Sequence, residues 1–213
     1  MKILITGFEP NDDGLNASKI LVEALCADDA HYLLSHIDAS NVEFVFEILP
    51  PDTEELKNTL YSLIDNQKPD VCVFIGQAPG RNKIGFERIA INLKDFGTPD
   101  GKGNHPKGEL IDPDGLAAYW STVPDQSGIV ESLQNIGIPA FISNNGGYHL
   151  CNQVLYHGLQ LADRTQSDMT CCFIHIPPLP EQVIKQWPGS PFMELSTIKT
   201  AIVTAIREII SKA

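Results

Sequence analysis

Short apolar runs that suit β-strands alternate along the chain with amphipathic helical patterns, and this alternation restricts the fold more than any other feature. The pattern predicts strands at Lys2–Thr6, Val42–Leu49, Val71–Ile75, Ala140–Ser143 and Thr170–Ile176. It predicts helices at Ala17–Cys26, Thr53–Gln67, Gly128–Asn135, Tyr148–Asp163 and Leu195–Lys212. This order is typical of an α/β fold, a three-layer α/β/α sandwich around a mostly parallel mixed sheet. A length of 213 residues suits a single domain over residues 1–213.

The segment 79–124 interrupts this alternation. It contains the polar, glycine-rich stretch Gly97–Gly108, for which we predict a long loop without regular structure. Loops of this length are usually functional or mobile. The glycines lack the spacing of a phosphate-binding loop, so a nucleotide is not expected here.

The charge of the chain excludes several classes of partner. There are 27 acidic and 15 basic residues, and the formal net charge is -12. Such a field repels nucleic acid and anionic membranes, so neither is an expected partner. The apolar runs are shorter than the roughly 20 residues of a membrane span, and no secretory signal pattern precedes the first strand. We therefore expect a soluble cytoplasmic protein.

The five cysteines do not form a disulfide framework or a zinc motif. Their number is odd, no C-x-x-C is present, and the adjacent Cys171 and Cys172 should point to opposite faces of a strand. The six histidines do not pair with carboxylates at metal-ligand spacing. We therefore expect neither a metal nor a cofactor.

The segment Ser143–Asn152 connects a predicted strand to a predicted helix. Two glycines permit a tight turn, and Cys151 falls in or near the first turn of the helix. Free backbone N–H groups and the helix dipole favour a thiolate there and suit a developing oxyanion. Cys151 is therefore a candidate nucleophile. The alternative is a cysteine that only packs beneath the start of the helix.

A base for this nucleophile is predicted at His175, near the end of the last strand. The chain between Cys151 and His175 is long enough for one helix and one strand in a right-handed crossover, which would bring the two residues together. The functional interpretation of this pair is a catalytic Cys-His couple. The alternative is that His175 has only a structural role. His149 is a weaker candidate base because it points around the helix from Cys151.

A carboxylate, Glu87, lies in the segment Gly76–Asn92, which follows a predicted strand at the presumed catalytic edge of the sheet. Glu87 precedes a short apolar run, where a carboxylate can enter a partly buried site. There it would orient an imidazole or accept a hydrogen bond from a substrate amide. The alternative is an exposed carboxylate paired with Arg88.

Together these segments resemble the pyroglutamyl peptidase I family, the pyrrolidone-carboxylate peptidases of the C15 type. The resemblance runs nearly end to end and depends on the order and spacing of several fragments. They are MKILITGFEP at the start, QAPGR and ERIAIN around Glu87, LCN around Cys151, and FIHIP with LPEQ around His175.

The resemblance implies hydrolysis of the amide bond after an N-terminal pyroglutamyl residue, through an acyl-enzyme. Cys151 would be the nucleophile, His175 the general base and acid, and Glu87 the third member of the triad. The resemblance also implies an α/β/α sandwich and no cofactor. The partners would be small peptides with a blocked N-terminus and further copies of the chain, in a homo-oligomer (tetramer or dimer).

Substrate contacts follow from the same resemblance. Phe8 would pack on the lactam ring, and Gln77 and Leu150 would line the pocket. Asn11 replaces the second phenylalanine of the family's ring clamp, and His149 replaces a Phe or Tyr two residues before the nucleophile.

Two other functions stay open at this stage. The polar residues Asn11 and His149 suit a more polar acyl group, which favours the same thiol machinery with a shifted specificity. Gly97 stands where bacterial members tend to have an arginine, with Lys94 as a candidate substitute. The loss of that arginine favours a non-catalytic binding protein on the same scaffold.

Overall fold

The structure is a computed structural model that describes residues 1–11, 14–27 and 41–212. Its strands are β1 (Lys2–Phe8), β2 (Glu43–Leu49), β3 (Val71–Gln77), β4 (Ile84–Glu87), β5 (Ile89–Ile91), β6 (Ala118–Trp120), β7 (Ala140–Ser143) and β8 (Thr170–Ile176). Its helices are α1 (Ala17–Ala27), α2 (Leu56–Gln67), α3 (Gln126–Asn135), α4 (Leu150–Thr165), α5 (Pro180–Lys185) and α6 (Leu195–Ile210). None of these helices is long and apolar enough to cross a lipid bilayer.

Six strands form one sheet in the order β2-β1-β3-β8-β4-β7, and β5 pairs with β6 in a separate antiparallel ribbon. The strands β2, β1, β3 and β8 are parallel to one another. The strand β4 is antiparallel to β8 and parallel to β7. The prediction of a mostly parallel mixed sheet is therefore confirmed.

Strand residues alternate between two hydrophobic cores, one on each face of the sheet. Ile3 and Ile5 pack in the core that α1, α3 and α6 cover, whereas Leu4 packs in the core under α2 and α4. Cys171 and Cys172 separate between the two cores in the same way, as predicted. Because helices cover both faces, the prediction of a three-layer α/β/α sandwich is also confirmed.

The segment 79–124 holds more regular structure than its sequence pattern predicts. It contains β4, β5 and β6, each only three or four residues long. Elements this short carry too few side chains to show a period, and the same holds for the six-residue helix α5. The stretch Gly97–Gly108 contains no helix or strand, as predicted.

The predicted right-handed crossover between the strand before Cys151 and the strand of His175 is wrong. The strands β7 and β8 run in opposite directions, with β4 inserted between them. The chain separation between the two residues does not reveal an inserted strand. The segment 144–149, between β7 and α4, nevertheless carries the chain back to the carboxyl end of β3, where Cys151 Sγ lies against Gly76.

Candidate active site

A cavity of about 540 Å³ opens at the carboxyl ends of β1, β3 and β8. Functional groups are expected at this edge of an α/β sheet. The proposed site residues that line the cavity are Phe8, Asn11, Gln77, His149, Leu150, Cys151 and His175. Glu87 does not line the cavity, because it lies behind His175. The fold therefore gathers every proposed site residue at or directly behind one cavity.

The strand–turn–helix segment places the Cys151 thiol on the cavity floor. The helix α4 begins at Leu150 after the N-cap residue His149, so Cys151 lies in its first turn, as predicted. The Sγ atom occupies the space in front of Gly76, where a Cβ atom would lie only 2.8 Å from it. Any larger residue at position 76 would displace the sulfur.

The predicted resting thiolate at Cys151 is wrong. Burial, and then the negative charge of Glu87, raise the pKa of the Cys151 thiol to about 12, although Arg81 acts in the opposite direction. A helix N-terminus favours a thiolate, but here the loss of solvation outweighs that field. The sulfur is therefore protonated near neutral pH.

The strand register places His175 next to Gly76, against which the Cys151 sulfur lies. Gly76 of β3 pairs with His175 of β8, so both residues belong to the face of the sheet that α4 covers. The His175 Nδ1 lies 2.7 Å from Glu87 Oε1. Since a carboxylate only accepts hydrogen bonds, Nδ1 carries the proton and Nε2 keeps its lone pair. No hydrogen bond between described residues joins His175 to the Cys151 thiol.

The charge on His175 is set by opposing effects. Burial lowers the pKa of the imidazole, the hydrogen bond and charge of Glu87 raise it, and Arg81 lowers it again. The net direction is downward from the ordinary value. His175 is therefore a neutral imidazole near neutral pH, which is the form that accepts a proton.

The Glu87 side chain is only 1% exposed and accepts hydrogen bonds from His175 and Arg81. Its Oε1 accepts from His175 Nδ1 at 2.7 Å and from Arg81 Nη1 at 2.6 Å. Burial by itself raises the pKa of Glu87, but these partners outweigh burial, and the net pKa is lowered. The alternative of an exposed pair with Arg88 is wrong, because Arg88 donates instead to Asn144 Oδ1 at 2.8 Å.

The sequence pattern does not single out Arg81 as a site residue. Besides its ion pair with Glu87, its Nη2 donates to the Asn145 carbonyl at 2.9 Å, in the turn that precedes α4. Its guanidinium lies over the Phe141 ring, 5.4 Å from the centroid. The available signal was a cation six residues before Glu87 in the QAPGR fragment, but only the fold shows that it faces the carboxylate.

Comparison with known proteins identifies the family. The family model described as pyroglutamyl peptidase matches residues 1–212. The chain belongs to the pyroglutamyl peptidase family. It is 38% identical over 213 residues to a pyrrolidone-carboxylate peptidase of Thermosipho africanus, a match that covers 100% of this chain and 98% of the relative. It is 39% identical over 212 residues to pyrrolidone-carboxylate peptidase 1 of Photorhabdus laumondii, with 97% and 91% covered.

Solved structures of this family share the fold. A mutant pyrrolidone carboxyl peptidase from Pyrococcus furiosus superposes with a TM-score of 0.88 at 33% identity, and the match covers 100% of this chain and 99% of that one. Pyroglutamyl peptidase I of Bacillus amyloliquefaciens gives a TM-score of 0.86 at 33% identity, with 99% and 97% covered. The resemblance inferred from the sequence is confirmed, and the chain is a peptidase of this family.

The cavity wall beside Cys151 is partly polar. The His149 ring stacks on Phe96 with ring centroids 3.8 Å apart, and its Nε2 donates to the Thr98 carbonyl at 3.2 Å. Burial lowers the pKa of His149, which favours the neutral ring. Asn11 is exposed at the cavity rim.

Lys94 does not replace the arginine that the family resemblance places at position 97. It pairs with Glu109 at 3.3 Å and does not line the cavity, whereas Gly97 does. Within the described ranges, no three His, Cys, Asp or Glu side chains come together as metal ligands.

Proposed function

We propose that this protein hydrolyses the amide bond after an N-terminal pyroglutamyl residue. Cys151 is the nucleophile, His175 the general base and acid, and Glu87 the residue that orients His175. The observation that carries the proposal is that Cys151 and His175 line the same cavity, with the Nδ1 atom of His175 2.7 Å from Glu87 Oε1. The names of the relatives, pyrrolidone-carboxylate peptidases, support the substrate class.

Catalysis starts from a neutral thiol and a neutral imidazole. With a Cys151 pKa of about 12 and a lowered His175 pKa, neither group is charged near neutral pH. The Nε2 atom of His175 therefore takes the thiol proton as Sγ attacks the carbonyl carbon of the substrate. Glu87 stabilises the imidazolium that forms. Contacts between catalytic groups often shorten only when substrate is bound.

The tetrahedral intermediate then collapses, and the C–N bond breaks. His175 gives its proton to the leaving amine, while the acyl group stays on Sγ as a thioester. A water molecule that His175 deprotonates attacks the thioester, and free pyroglutamate leaves as the sulfur regains a proton. The first N–H groups of α4 have no acceptor within the helix, and they would bind the oxyanion of both intermediates.

The test is release of a chromophore from pyroglutamyl p-nitroanilide. We expect turnover by the wild type and a loss of about 10³-fold or more in Cys151→Ser. Cys26→Ser is the matched control, because Cys26 is an exposed free cysteine away from the cavity, and it should keep wild-type activity. A wild type without turnover would contradict the proposal.

A second candidate is the same thiol chemistry on a more polar N-terminal acyl group, which the cavity positions of Asn11 and His149 favour. Alkylation of Cys151 by iodoacetamide separates the candidates. Alkylation of Cys151 that His175→Ala slows, without cleavage of pyroglutamyl amides, would support the second candidate. Pyroglutamyl binding without hydrolysis, and with an alkylation rate that His175→Ala leaves unchanged, would support a non-catalytic binding protein.

A further inference from the structure

We propose that Gln182 is a positioning residue that fixes the side-chain amide of Gln77, so that the cavity presents a hydrogen-bond donor to the substrate ring. This inference rests on the proposed function. It names the lactam carbonyl oxygen as the group that Gln77 recognises, and Gln182 as the residue that sets the polarity of that contact.

The orientation of the Gln182 amide follows from two backbone groups. Gln182 is 0% exposed, and its Oε1 accepts from the Leu179 N–H at 2.9 Å as part of the capping box of α5. Its Nε2 donates to the Leu15 carbonyl at 2.8 Å. A backbone N–H only donates and a backbone carbonyl only accepts. The Gln182 amide therefore has one possible orientation.

The orientation of the Gln77 amide follows from that of Gln182. The second N–H of Gln182 Nε2 points at the Gln77 side chain, 2.7 Å from Oε1. The Ala17 N–H, in the first turn of α1, points at the same oxygen at 2.9 Å. Two donors from separate elements thus require an acceptor, and a flipped Gln77 amide would face both of them with its own NH₂ group.

The remaining end of the Gln77 amide is open for a ligand. Gln77 lines the cavity, and none of the hydrogen bonds between described residues uses its Nε2. The cavity therefore offers two N–H donors at this point. A pyroglutamyl ring has a carbonyl oxygen to accept one of them, whereas a prolyl ring of the same size has none. A site built to hydrogen-bond one substrate group strongly rejects an analogue that lacks it.

The first experiment inverts the polarity of the contact with Gln77→Glu. A glutamate keeps an acceptor for Ala17 and Gln182 but faces the lactam carbonyl with a second oxygen. We expect KM for pyroglutamyl p-nitroanilide to rise by about 10²-fold. The neutral lactam 2-pyrrolidinone should slow iodoacetamide alkylation of Cys151 in the wild type and not in Gln77→Glu. An unchanged KM, or equal protection by the lactam, would overturn the inference.

The second experiment removes the positioning residue with Gln182→Met. We expect a rise in KM of about tenfold with a kcat within about threefold of the wild type, because the nucleophile is untouched while Gln77 can flip. Gln160→Met is the matched control, since Gln160 is also 0% exposed but bonds Tyr61 and Asp112 away from the cavity. If the two variants change KM equally, Gln182 has only a structural role.

The two proposals fail in different ways. A wild type that neither cleaves the pyroglutamyl substrate nor gains protection from the lactam refutes the proposed function. A wild type that does both, together with Gln77→Glu and Gln182→Met variants that keep its KM, refutes only the roles of Gln77 and Gln182.

Discussion

Glu87 and Arg81 act on the His175 pKa with opposite sign, because one is an anion beside the imidazole and the other a cation. Only the neutral imidazole accepts a proton, so kcat/KM falls as the pH drops through the His175 pKa. Glu87→Gln removes the effect that raises this pKa, and we expect the acid limb of the pH profile to move to lower pH. Arg81→Gln should move the limb to higher pH.

Both variants should also have a lower kcat than the wild type. Without the carboxylate the imidazolium is not stabilised, and we expect kcat to fall by about 10²–10⁴-fold in Glu87→Gln. The control is Arg88→Gln, since Arg88 bonds Asn144 and lies over the Trp120 ring rather than facing the site. The measurement is kcat/KM across pH, and limbs that shift in the same direction would refute the opposing roles.

The site also requires a glycine at position 76, because the space beside its Cα is filled by neighbouring side chains. A methyl group there would lie 2.8 Å from Cys151 Sγ and 2.8 Å from the Phe173 ring. We expect Gly76→Ala to lower the free energy of unfolding by about 1–3 kcal/mol and kcat/KM by about 10²-fold through displacement of the sulfur. Urea unfolding and steady-state kinetics measure the two effects. Wild-type kinetics in the folded variant would show that the sulfur has room to move.

At the scale of elements, Asn152 connects α4 to the ribbon of β5 and β6. Its Nδ2 donates to the carbonyls of Ile91 (2.8 Å) and Leu93 (3.2 Å), and its Oδ1 accepts from the Ile91 N–H at 3.0 Å. Asn152→Ala leaves the Ile91 N–H and the Leu93 carbonyl unpaired, and we expect a loss of about 3 kcal/mol in the free energy of unfolding. Asn135→Ala, at the exposed end of α3, should change it by less than about 0.5 kcal/mol. Equal urea midpoints would contradict this role.

The elements differ in how well their sequences predict them. The five long helices show their apolar period, and five of the six sheet strands show an apolar or alternating run, including the four-residue β7 (AFIS). In β4 (IGFE), Gly85 and Glu87 interrupt the apolar residues. The strand β4 is only four residues long, and its insertion reverses the direction of β7 relative to β8. The crossover prediction failed for this reason, although Cys151 and His175 still line one cavity.

At the scale of the whole molecule, burial of His157 makes stability depend on pH. His157 is 3% exposed, and burial, followed by the charge of Lys57, lowers its pKa to about 4, from about 6.5 in an unfolded chain. Between these values the unfolded chain binds the proton first, so the contribution is complete above pH 6.5 and is lost as the pH falls toward 4. When the pH is lowered from 7.5 to 5, the free energy of unfolding should fall by about 2 kcal/mol less in His157→Phe than in the wild type. Equal losses in urea unfolding would contradict this expectation.

The homo-oligomer, tetramer or dimer, that the family resemblance implies stays a prediction. Static light scattering tests it, with an expected mass that is a multiple of 23.4 kDa. A mass of one chain at micromolar concentration would refute it.

The sequence alone determined the fold class, the family and the identity of the cysteine, histidine and glutamate that the proposed function uses, because apolar periods and motif spacings are local properties of a chain. The tertiary structure alone decided that Glu87 pairs with Arg81 instead of Arg88, that Gln182 orients Gln77, and that the Cys151 thiol is protonated at rest. These features depend on burial and on contacts between distant segments. Neither exists until the chain has folded.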